Sequence, residues 1–115
     1  MKRAARILLV AAACFAFIMA AAPHPPRIPG EPPDKILHML AFAVLGGLSA
    51  YSFPNRSIAF LFAALMIFGG LIEIVQAIPA LHRDSELADW IADGIAALTS
   101  LAAARWIERR ASRQT

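Results

Sequence analysis

Apolar residues fall into four runs, 7–22, 36–53, 57–78 and 87–107, separated by short polar or proline-rich breaks. At a helical rise of about 1.5 Å per residue, runs of this length reach about 24 to 33 Å, close to the roughly 30 Å hydrocarbon thickness of a bilayer. The pattern predicts an all-α protein, a compact bundle of about four transmembrane helices forming a single domain over residues 1–115. Residues 23–33 hold six of the eight prolines, which block helix and favour an extended linker outside the bundle. The break Pro54-Asn55-Arg56 is so short that the second and third spans must form an antiparallel hairpin, and Pro79 closes the third. Gly69 and Gly70 in the third run, and Ala88, Ala92 and Ala96 in the fourth, offer small-residue faces for close helix approach.

Composition fixes the solvent. Hydrophobic residues make up 59% of the chain and charged residues 17%, with a mean hydropathy of +0.61. Ordinary soluble domains hold about 45 to 50% apolar and about 25% charged residues, so a soluble core could not hide this much apolar surface. Cys14 is alone, so no internal disulfide forms, and it sits mid-run where it can pack as a small hydrophobe. The first run, led by Lys2, Arg3 and Arg6 and followed by Ala20-Ala21-Ala22, reads as a retained first span; a cleaved secretory signal has the same outline.

Charge sets the expected orientation. With the N-terminus cytoplasmic, the inside collects Lys2, Arg3, Arg6, Arg56, Arg105, Arg109, Arg110 and Arg113, eight of the eleven basic residues, leaving Arg27, Lys35 and Arg83 outside. That is a positive-inside distribution with both termini cytoplasmic. It accounts for a pI near 9.8 without nucleic acid, for which no motif is present. Trp90 and Trp106 bracket the fourth run and read as interfacial belt residues.

The polar residues inside or bordering the runs gather toward one end. Asp34 and His38 open the second span, Glu73 and Gln76 close the third, and Asp89 and Asp93 open the fourth, with Arg83 in the connection before it. Spacings of three or four residues put each pair on one helix face. Ionisable groups in spanning helices are costly in hydrocarbon and are functional candidates by default. The inner halves of the same spans are almost purely apolar.

Asp34-Lys35-Ile36-Leu37-His38, then Glu73-Ile74-Val75-Gln76, then Arg83, Asp89 and Asp93, follow the order D-K-x-x-H, E-x-x-Q and R-x5-D-x3-(N or D). As a set, over residues 34–101, this resembles the VanZ-like membrane proteins. The chain departs from that pattern where glycines are expected after the last motif, having Ala96 and Ser100 there, and in carrying Asp93 where Asn is common. The resemblance implies a multi-pass protein of the bacterial cell envelope, in the inner membrane, from a family named for a protein associated with teicoplanin resistance.

Two functional readings follow. In the first, the cluster binds the anionic headgroup of a lipid-linked or envelope substrate. Asp34, Lys35, Gln76, Arg83 and Asp93 would bind it, with Lys35 and Arg83 holding phosphate, while His38, Glu73 and Asp89 would serve as acid or base. In the second, the polar groups hold the helices together or carry protons in a small transport or scaffold protein. Carboxylates with one His are ligands a divalent ion can use, but the close ligand motif that would assign a metal site is missing, so none is assigned and no cofactor is expected. The bilayer is the expected partner.

Overall fold

The computed structural model describes residues 2–21, 34–77 and 87–113. It contains four helices: α1 (Lys2–Ala21), α2 (Asp34–Ser52), α3 (Ile58–Gln76) and α4 (Leu87–Arg113). The helices match the apolar runs to within two residues at each end, except that α1 takes in the basic residues that precede its run and α4 continues beyond position 107 to Arg113. The linker 23–33 and the connection 79–86 lie outside the described residues.

Lys2–Ala21, Ile58–Gln76 and Leu87–Ser112 are long and apolar enough to cross a membrane, and the apolar stretch of α2, Ile36–Ser52, is a shorter companion. Outward faces support the same environment. Ile7, Phe15, Ile18, Leu40, Ile67 and Ile74 are all exposed, and apolar side chains pointing away from the bundle on every helix are what lipid, rather than water, accommodates. The bundle measures 52 × 26 × 25 Å, so its long axis exceeds a hydrocarbon core of about 30 Å.

The α2–α3 hairpin is tight, as expected. Phe53 N–H donates to Ser49 O, Arg56 N–H donates to Phe53 O, and Ser57 caps α3 by accepting from Phe60 N–H at 3.0 Å. A serine hydroxyl at this position satisfies one of the amides a helix start leaves open.

Helix α2 is central: it packs most extensively on α4, then on α1, and also touches α3, whereas α1 and α3 meet more loosely. The core comprises Phe42, Leu45, Ala50, Leu61, Leu65, Ile72, Ala97 and Leu101, with Ala20 at the far end of α1. The buried stripe of α4 runs through Asp93, Gly94, Ala97 and Leu101, while Ala88 is exposed and Ala92 and Ala96 are half-buried. The small-residue repeat read from the sequence therefore borders the contact face instead of forming it. At the α2–α4 contact, a Cβ on Gly46 would lie 2.9 Å from Ala97 O, so the two backbones are nearly touching. Close approach of this kind is what small residues permit between membrane helices.

The carbonyl end of α2 is held by cations from both sides. Lys2 Nζ donates to Tyr51 O at 2.6 Å, Arg6 Nε to Ser52 O at 3.1 Å, and Arg105 to Phe53 O at 2.8 Å. Lys2 also sits 3.4 Å from the centroid of the Tyr51 ring, and the Arg6 guanidinium lies over Phe53. A helix C-terminus exposes orphan carbonyls and a partial negative charge, and positive side chains answer both. These residues, read from sequence as topology signals, are also structural caps.

Candidate functional site

The polar end of the bundle is anchored by an aromatic layer. A Cβ on Gly69 would lie 3.1 Å from the Phe42 ring and 3.2 Å from the Trp90 ring, so α2, α3 and α4 meet at this glycine. Trp90 Nε1 donates to Met66 O at 2.9 Å. Trp90 is half-buried and works as a helix-to-helix contact, not as the belt residue expected from its position. Trp106 is exposed at 59%, with the Arg110 guanidinium over its ring.

From that layer, one turn along α2 toward its start leads to His38, and one turn along α3 toward its end leads to Glu73. The two helices are antiparallel neighbours, so these residues stand at the same level, about 6 Å beyond the layer. His38 and Glu73 are both half-buried. Asp89 adjoins Trp90 and is half-buried, whereas Asp93 lies one turn deeper and is 3% exposed. The three levels are thus staggered, with Glu73 and Asp93 separated by about 10 Å along the bundle. Glu73 Oε1 and Asp93 Oδ1 are both shut off from solvent, and both residues are engaged by neighbours.

Gln76 is 3% exposed, and its amide nitrogen donates to Ala20 O in the last turn of α1 at 3.3 Å. This bond ties α3 to α1 and satisfies a carbonyl at a helix end. The backbones of Asp34 and Lys35 begin α2, but their side chains lie outside the described residues, as does Arg83. Among the described residues no group of three or more His, Cys, Asp and Glu has the arrangement to hold a metal ion.

Sequence reasoning missed Ser100, whose hydroxyl donates to Ala43 O. Its signal was present as a hydroxyl beside Thr99 in an apolar run, where interhelical hydrogen bonds are a common use of serine. No protein-family model, curated protein or solved structure matches this chain.

Proposed function

We propose that the chain is a VanZ-like multi-pass protein of the bacterial inner membrane, with both termini cytoplasmic. Its polar end binds the anionic headgroup of a lipid-linked envelope substrate. The observation that carries this reading is Asp93, a carboxylate 97% buried between apolar helices, with Glu73 and His38 at the level beyond it. Acids at such depth are expensive in a membrane bundle and mark sites. Lys35 and Arg83 supply the positive charge for phosphate, and His38, Glu73 and Asp89 can accept or donate a proton beside it.

The test uses the full chain in bilayer nanodiscs containing a polyprenyl phosphate or the matching polyprenol. Ligand that binds only the folded state at 100 times its Kd stabilises by about 2.7 kcal/mol. Phosphate-specific stabilisation is expected, and Lys35→Gln and Arg83→Gln should remove it while leaving ligand-free stability unchanged. Equal stabilisation by the alcohol would overturn the reading.

The bond from Gln76 to Ala20 O favours a second reading, in which the same polar groups serve as helix glue. In that case Glu73→Gln combined with Arg83→Gln should recover stability and any deletion phenotype together, since replacing both members of a buried pair is often near neutral whereas removing one costs about 3 to 5 kcal/mol. A double variant that folds but remains inactive supports headgroup binding.

A further inference from the structure

At the opposite end of the bundle the loose contact between α1 and α3 leaves a groove of about 400 Å³. Leu9 and Ala13 of α1 form one wall, Ala64 and Phe68 of α3 the other, and Leu45 of α2 the floor. The lining is almost wholly apolar until Phe53 and Arg56, which also line a second cavity of about 420 Å³ with Arg6, Pro54 and Asn55. The two spaces share Phe53 and Arg56 as walls. One is a hydrocarbon slot. The other is a polar mouth lined, among the described residues, by two arginines and no carboxylate.

We infer that this composite site holds one anionic phospholipid of the surrounding bilayer, its phosphate between Arg6 and Arg56 and one acyl chain in the groove between α1 and α3. Three features select this occupant. Along α3 the groove runs about 12 Å from Phe60 to Phe68, close to the roughly 15 Å hydrocarbon depth of one leaflet. The guanidinium groups stand at its mouth, where a headgroup would lie. Arg6 spends its Nε on Ser52 O, which leaves four N–H donors on its terminal nitrogens, and Arg56 is steadied over the Phe60 ring at 5.0 Å; paired, preoriented guanidinium groups suit phosphate oxygens. The neighbouring cavity of about 480 Å³ with Arg105 and Arg109 also carries Glu108, whose charge opposes an anion. This assignment is independent of the acidic end and of any substrate bound there.

Electron paramagnetic resonance of the full chain in phosphatidylcholine bilayers tests it, using trace phosphatidylglycerol or phosphatidylcholine labelled with a nitroxide near the end of one acyl chain. The protein is expected to immobilise phosphatidylglycerol in preference to phosphatidylcholine. Arg56→Gln should cut that preference about fivefold, the contribution of one basic side chain near an anionic lipid surface. Ala64→Phe, which fills the groove while keeping both arginines, should reduce phosphatidylglycerol immobilisation to the phosphatidylcholine level. Arg56 and Ala64 are exposed, so neither change disturbs the core, and a circular dichroism melt checks folding. Equal immobilisation of the two lipids by the wild type, or a preference unchanged in either variant, overturns the inference.

Discussion

The hydroxyl of Ser100 donates to the main-chain carbonyl of Ala43, joining α4 to α2 through an oxygen that also lies within a helix ladder. Room for it comes from Gly46 and Gly47, whose absent side chains would stand 3.3 to 3.4 Å from Ser100 Oγ. Interhelical hydrogen bonds in membrane proteins average about 0.6 kcal/mol. Ser100→Ala should therefore lower stability by about that much in a detergent or nanodisc melt, and Ser100→Val, which loses the donor and adds bulk against Gly46, by several times more.

Two glycines should respond oppositely to the same change. Alanine is favoured over glycine inside a helix by about 1 kcal/mol. At Gly94 the added methyl is crowded by the Met66 side chain, 2.7 Å from its sulfur, with Phe62 at an ordinary 3.8 Å, and a flexible thioether can swing aside, so Gly94→Ala should be neutral or slightly stabilising. At Gly46 the methyl meets the Ala97 carbonyl at 2.9 Å and Ser100 Cβ at 3.1 Å. Neither can move without separating the helices, and Gly46→Ala should cost about 1 to 3 kcal/mol. Thermal melts of the two variants side by side decide it.

The cations at the end of α2 should differ in their response to salt. Arg105 is half-buried and binds Phe53 O, so Arg105→Gln should cost about 1.5 to 3 kcal/mol, as for hydrogen bonds to charged groups, with little salt dependence. The Lys2 bond to Tyr51 O is exposed, and Lys2→Gln should cost only a few tenths of a kcal/mol, vanishing at high ionic strength. Melts at low and high salt separate the two.

The tryptophans can be told apart by their surroundings. With Trp106→Phe, the remaining emission comes from Trp90 and should resist an aqueous quencher such as iodide; with Trp90→Phe the emission should quench readily. Trp90→Phe should also destabilise by about 1 kcal/mol through loss of the bond to Met66 O, whereas Trp106→Phe should stay within about 0.5 kcal/mol.

The helices themselves were legible because apolar run length is set by bilayer thickness, and the prolines and the Pro54-Asn55-Arg56 turn marked where runs end. Their facing was not. In water an amphipathic stripe shows which side of a helix is buried; in lipid the outward Ile67 and Ile74 are as apolar as the inward Leu65 and Ile72, so no such contrast exists. The repeat Ala88, Ala92, Ala96 was therefore read as the contact face, when the contact runs through Asp93, Gly94, Ala97 and Leu101. The polar positions were easier to find, because a carboxylate such as Asp93 stands out in an apolar run whichever way it points. The pairing of Lys2 and Arg6 with carbonyls more than forty residues away was beyond reach, since a backbone acceptor leaves no trace in the residue type.

Because the last turn of α2 is finished by side chains drawn from α1 and α4, its completion has an order in time. As the chain emerges from the ribosome, Lys2 and Arg6 are at hand when Tyr51 and Ser52 enter the membrane, but the cation that binds Phe53 O is made some fifty residues later. Until then Phe53 O is served by the Arg56 N–H of its own turn, and arrival of the fourth helix adds the charged donor and the α2–α4 packing that hold the hairpin. A nascent chain stalled before residue 87 should be cleared by membrane proteases faster than the finished protein, which makes synthesis of α4 the checkpoint for release of the bundle.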